Sequence, residues 1–196
     1  MRRKKGKELS YKMKYLVQTA KELFFRYGIK RVSIEEICQQ SGVSKMTFYR
    51  YFQNKSDLAI YILDEIYTEA REKLEDIMAM DISFEEKIQK AFMMKMEYMD
   101  KFSNEFIKEL VSNAEPELGR YIEGENIKSI NQMKEILQDA QRTGDIRPDI
   151  KIDFMIYMMN IIVEIFKDEK LQKLYPDISS LNKEVFNFFY YGVLKR

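Results

Sequence analysis

The chain has 196 residues and a mass of 23.6 kDa, is 45% hydrophobic and 33% charged, and holds only 7 Gly and 3 Pro. That is enough chain to bury a sizeable core, and the balance excludes linker-like and disordered classes. With no His and the single Cys38 it cannot build a Ser-His-Asp triad, a Cys-His pair, a His/Cys zinc site or an internal disulfide. The net charge of +1 hides a division, +9 over residues 1–57 and −8 over residues 58–196, which points to a basic module for a polyanion joined to an acidic body.

From Tyr11 to Tyr27 the apolar positions Leu16, Val17, Ala20, Leu23, Phe24 and Tyr27 make one helical stripe, and Gly28 follows as a C-terminal cap. Ser33 with Glu36 forms a capping box that starts a short helix running to about Gln40. Gly42 breaks it. Ser44 caps a third helix, Lys45 to Phe52, with Phe48 and Phe52 one turn apart on its inner face. Asn54 with Asp57 repeats the capping pattern and opens a long fourth helix through Leu58, Ile62 and Ile66 to about Ala79. Helical patterning continues over 84–102, 104–112, 116–142, 152–174 and 178–192, and no segment alternates as a strand. The expected class is all-α, with about nine helices.

A short helix, a tight turn at Ser41-Gly42-Val43 and a second helix behind Ser44 have the spacing of a helix-turn-helix, whose second helix enters the DNA major groove. Ile37 and Phe48 can meet across the turn, Cys38 is small enough for close approach, and Val43 plugs the corner. Lys45, Met46, Thr47, Tyr49 and Arg50 then form the outward face. The stretch from Ile37 to Ser56 contains no acid, so the first turn of the third helix leaves its positive end open to phosphate. The plainer reading of such a charge run is a solvated face.

Residues 11–62 resemble the DNA-binding domain of the tetracycline-repressor (TetR) family. The resemblance rests on Ala20-x-x-Leu23-Phe24-x-x-Tyr27-Gly28, then Val32-Ser33-Ile34-x-x-Ile37, then Ser41-Gly42-Val43-Ser44-x-x-Thr47-Phe48-Tyr49-x-Tyr51-Phe52, then Lys55-x-x-Leu58. Cys38 stands where the family usually has Ala, and Tyr51 where His or Tyr is common. By resemblance, Ser33, Thr47, Tyr49 and Lys55 hold phosphates, while Lys45, Met46 and Arg50 read bases. The same resemblance implies a domain over 11–57 that binds double-stranded DNA, preceded by a basic arm over 1–10. It also implies a helical bundle over 58–196 that binds a small effector and dimerises through its last two helices. Gly144 to Asp149 is similar to a turn found before the penultimate helix in many members.

Two readings of the acidic half come from its own residues. The segment from Phe154 to Phe166 is apolar almost all round, and Phe186, Phe188, Phe189, Tyr190 and Val193 occupy more than one face of the last helix. Covering both asks for a second copy or for a larger intrachain core; the candidates for a dimer surface are Phe154, Ile161, Phe186, Phe189, Tyr190 and Val193. The methionine-rich helices that hold Met94, Glu97 and Tyr98, and Tyr157, Asn160 and Glu164, suit an adaptable pocket for an apolar effector, or for an apolar cation with Glu164 or Glu97 as its counter-charge. The alternative is a plain methionine core in which Glu164 pairs with a Lys or Arg.

No apolar run reaches the length of a membrane span, and Gly6, Lys7, Glu8 and Ser10 stand where a signal peptide needs its apolar core. The expected location is therefore the cytoplasm, with no membrane partner. No cofactor motif is present. A phosphate loop fails at Gly119 to Gly124, where Glu125-Asn126 replace Lys-Ser/Thr. The basic residues Arg2 to Lys7 suit either a minor-groove arm or a solubilising tail. The sequence thus points to a ligand-responsive DNA-binding regulator, a homodimeric repressor and not an enzyme. Its rival is a non-catalytic helical protein-interaction module.

Overall fold

Why the first helix turns one side inward is visible in its pattern: Leu16, Val17, Ala20, Leu23 and Phe24 of α1 (Tyr11–Tyr27) are all buried. The computed structural model describes residues 11–112, 116–165, 168–176 and 178–193. The further elements are α2 (Ile34–Ser41), α3 (Lys45–Tyr51), α4 (Lys55–Ala79), α5 (Phe84–Asp100), α6 (Asn104–Ser112), α7 (Pro116–Thr143), α8 (Ile152–Ile165), α9 (Glu169–Gln172) and α10 (Ile178–Val193). The described residues form no strand, and the fold is all-α.

The starts of the early helices follow from their caps. Ser33 Oγ accepts the Glu36 N–H at 3.1 Å, Ser44 Oγ accepts the Thr47 N–H at 3.2 Å, and Asn54 Oδ1 accepts the Asp57 N–H at 2.8 Å. Asp57 answers by accepting the Gln53 N–H at 3.0 Å, a reciprocal arrangement that satisfies two donors a helix start would otherwise leave open.

The described chain divides into two compact units, and the division falls inside α4, α5 and α7. The first unit takes residues up to Glu75 together with Met94–Glu125. Its apolar core joins Leu16, Phe24, Ile37, Phe48 and Leu58 of the first four helices to Phe106 of α6 and to Leu118 and Ile122 of α7. The helix-turn-helix therefore shares its core with α6 and the start of α7. The second unit has one cluster of Leu137, Ala140, Ile146 and Met155, and another of Ile88 and Phe186 flanked by Met78, Phe84 and Phe92.

One predicted helix divides. The pattern expects a single helix from Ile152 to Leu174, whereas α8 ends at Ile165 and α9 is a separate turn. The Asp168 carboxylate accepts the Lys170 N–H at 2.8 Å and the Leu171 N–H at 3.4 Å, which restarts the chain as a new helix.

Candidate nucleic-acid interface

The turn between α2 and α3 is built by backbone and small residues. Gly42 has φ of +66°, and its N–H reaches the carbonyls of Cys38 and Gln39. A Cβ there would meet nothing within 4 Å, so the left-handed backbone alone asks for glycine. The Val43 N–H bonds to the Cys38 carbonyl at 3.0 Å. Ile37, Cys38, Val43 and Phe48 are buried together, as the sequence expects.

With Phe48 facing inward, helical geometry turns its neighbours out. Met46 is 84% exposed and Tyr49 56% exposed, and Lys45 and Arg50 are exposed beside them. Arg50 lies over the Tyr51 ring, 5.1 Å from its centroid, and donates to the Tyr51 hydroxyl at 3.1 Å. Thr47 is half-buried and shares a hydrogen bond of 3.0 Å with the Ser44 hydroxyl. No acid lies in the first turn of α3.

Two cations of the expected interface already have protein partners. Lys45 pairs with Glu35 of α2 on the open surface. That hydrogen bond holds the Glu35 carboxyl below the usual carboxylate range and raises the Lys45 ammonium above its own. The folded pKa of Glu35 being depressed, the pair is present above the ordinary carboxylate range and lost as pH falls through the depressed one. Lys55 donates to the carbonyls of Lys30 and Val32 at 3.0 and 2.8 Å. Ser33, the cap of α2, is exposed. Replacing Glu35 by Gln is expected to free the Lys45 ammonium, tighten binding to duplex DNA and steepen its salt dependence by about one counterion. Affinity measured across a salt series checks this; an unchanged slope means that Lys45 stays clear of phosphate.

The residues expected around an effector belong to two units. Met94 is half-buried and Glu97 exposed. The ammonium groups of Lys73 and Lys101 lie 5.2 and 4.9 Å from the centroid of the Tyr98 ring. The Tyr98 hydroxyl is buried without a hydrogen bond, and burial pushes its pKa up. Tyr157 and Asn160 of the second unit are exposed, and the side chain of Glu164 lies outside the described residues. Of the expected dimer residues, Phe154 is exposed and Ile161 half-buried, while the side chains of Phe189, Tyr190 and Val193 lie outside the described residues. Phe186 is buried within its own unit, clustered with Ile88 of α5, its ring 6.2 Å from that of Phe92. The basic arm over 1–10 also lies outside the described residues.

Residues 16–62 match the model for bacterial regulatory proteins of the tetR family. That segment is a DNA-binding segment of the tetR family. Similarity to transcriptional regulators extends well past the matched segment. The uncharacterized HTH-type transcriptional regulator YhgD of Bacillus subtilis is 25% identical over 163 residues, 80% of this chain and 84% of the relative. YdgC of the same organism, also an uncharacterized HTH-type transcriptional regulator, is 24% identical over 93% of each chain. In fold, the chain resembles the regulatory protein TetR from Rhodobacter sphaeroides, with a TM-score of 0.75 at 17% identity over 94% of this chain and 100% of that one. It also resembles FadR from Bacillus subtilis in complex with stearoyl-CoA, with a TM-score of 0.72 at 19% identity over 91% and 98%. The chain is thus a transcriptional regulator that carries a DNA-binding segment of TetR type.

Sequence reasoning misses several polar residues of this regulator. The Arg71 guanidinium of α4 pairs with Glu125 of α7 and donates to the Thr68 hydroxyl at 3.3 Å. Beside it, the Tyr121 hydroxyl donates to Asp64 at 3.2 Å, and burial first, then the Asp64 charge, drive its pKa far up. Glu109 of α6 accepts backbone N–H groups from the turn between α1 and α2. One signal was available: Leu118, Ile122 and Glu125 are spaced i, i+4, i+7, so the carboxylate stands on an apolar stripe. Among the described residues no group of three His, Cys, Asp or Glu is placed to hold a metal, and no helix is long and apolar enough to cross a membrane.

Proposed function

We propose that this TetR-family regulator is a cytoplasmic repressor that binds a near-palindromic operator as a homodimer and is released by a small apolar effector. The observation that carries the reading is the outward face of α3, with Met46, Tyr49 and Arg50 exposed on a helix anchored by the buried Phe48. Residues 11–57 act as the DNA reader, and residues 58–196 bind the effector and pair the subunits. Arg50 and Met46 suit base edges, whereas Ser33, Thr47, Tyr49 and Lys55 suit phosphates. Two copies would set their recognition helices about 34–36 Å apart on successive major grooves.

Exposed aromatic pairs support the dimer. Phe154 and Tyr157 on α8, and Phe188 and Tyr191 on α10, are each three residues apart and exposed, Phe188 to 85%. An apolar patch of that kind marks an interaction surface. The long acyl chain bound by FadR of Bacillus subtilis supports an apolar effector, and the methionines of α5 and α8 suit one. Effector binding would favour a spacing of the two readers that no longer matches the operator, with a coupling of about 1–3 kcal/mol.

The decisive experiment is a salt titration. A repressor that makes several phosphate contacts is expected to lose about 10³–10⁵ in affinity between 50 and 200 mM salt. A flat response would favour the rival, a helical protein-interaction module. In the same series Phe188→Glu is expected to convert the dimer to monomer by sedimentation and to weaken operator binding; a Phe188→Glu chain that stays dimeric removes α10 from the interface.

A further inference from the structure

We propose that Glu109, in α6, is a positioning residue for DNA binding: its carboxylate holds the backbone turn between α1 and α2, and so sets where α2 and the recognition helix behind it stand. The inference rests on the DNA-binding reading given above. The Ile29 N–H donates to Glu109 Oε2 at 2.6 Å, and the Lys30 N–H reaches Oε2 and Oε1 at 3.0 and 3.2 Å. Successive backbone N–H groups around one carboxylate form a nest, and bonds to an ionised acceptor are the stronger kind.

The turn is shaped for this guest. Gly28 has φ of +83°, and a Cβ there would lie 2.7 Å from Glu109 Oε1. Glycine at this position thus answers both the left-handed backbone and the approach of the carboxylate. The other side of the same turn is also taken, since Lys55 at the start of α4 donates to the carbonyls of Lys30 and Val32. The backbone of Lys30 is therefore gripped by its N–H from α6 and by its C=O from α4. Only Arg31 and Val32 separate it from Ser33, the cap of α2, which leaves the turn little slack. α6 is itself fixed on α1, because the Ser103 N–H bonds to the Phe25 carbonyl at 2.8 Å and the rings of Phe25, Phe102 and Phe106 pack within 5.2 Å of one another.

The sign of the effect makes the test sharp. Removing a carboxylate from a DNA-binding protein ordinarily tightens binding, because repulsion from phosphate falls. Glu109→Gln is expected to do the opposite and weaken binding by about tenfold, measured with full-length protein at fixed salt on a duplex that the wild-type chain has selected from random-sequence DNA. The charge-conserving Glu109→Asp, one methylene too short to reach the turn, is expected to weaken binding similarly. Glu117→Gln, an exposed acid in the first turn of α7, is expected to bind as tightly as wild type or tighter. Amide exchange gives a readout local to the turn: the Ile29 and Lys30 protons should exchange faster in both Glu109 variants while those of Leu16 to Phe24 stay protected. Wild-type affinity in Glu109→Gln overturns the inference and leaves the DNA-binding reading standing. Failure of the wild-type chain to select any duplex removes that reading, and this inference with it. Loss of helicity in both Glu109 variants overturns the positioning role in favour of a purely structural one.

Discussion

Phe48→Ala is expected to lower the free energy of unfolding by about 3–5 kcal/mol, the usual range for deleting a fully buried phenyl ring. Phe48 has no exposed surface and stands between Phe52, 5.9 Å away by ring centroids, and the core face of α2. Its loss leaves a cavity where α2 and α3 meet the rest of the first unit. Urea titration followed by helical circular dichroism measures the cost, and operator binding should fall with it, since the outward face of α3 is held by this one ring. The next residue should behave in the reverse way. Tyr49 is exposed and meets Phe48 only edge-on at 5.3 Å, so Tyr49→Ala is expected to cost about 1 kcal/mol of stability or less while weakening DNA binding by up to about tenfold. Were Tyr49→Ala to unfold the chain and Phe48→Ala to leave it stable, the inner and outer faces of α3 would be exchanged and the proposed interface lost.

What the sequence makes legible in this chain is local chemistry. Ser33, Ser44 and Asn54 cap helices within three residues of themselves, so each helix start can be read from a window shorter than a turn and a half. The inner face of α3 follows from the spacing of Phe48 and Phe52. Partners far along the chain are not legible that way. Lys45 reads as a free cation until Glu35, ten residues earlier, comes round beside it. Glu109 lies 80 residues from the amide it holds, and nothing in its helical neighbourhood marks it. The aromatic run of α10 reads as a covering surface, yet Phe186 turns into its own unit, because an apolar stripe does not say which neighbour will bury it. The pattern over 152–174 stays helical in period across Asp168, where cap geometry and not hydropathy restarts the chain.

The buried pair of Arg71 and Glu125 should show the same distinction energetically. Glu125 is 4% exposed, whereas the Arg71 side chain keeps 28% of its surface open. The two substitutions are therefore unequal. Arg71→Met strips a carboxylate that water cannot reach of its guanidinium and is expected to cost about 3 kcal/mol, near the low end for breaking a buried pair. Glu125→Gln leaves a guanidinium that can hydrate through its open side and keep its bond to Thr68, so its cost should be about 1 kcal/mol. In the double variant Arg71→Met with Glu125→Leu both charges leave the interior together, and stability should return to within about 1 kcal/mol of the parent, since a buried pair holds little net advantage over apolar packing of similar volume. Urea titrations of Arg71→Met, of Glu125→Leu and of the double variant give the coupling directly. If the two losses simply add, the pair is not coupled, and the joint between α4 and α7 rests on the apolar contacts of Leu58, Ile62, Leu118 and Ile122. If the double variant is stable but no longer releases DNA on adding an effector that acts on the parent, the pair serves the switch and not the fold, which would explain why a charge is retained where a hydrocarbon would do.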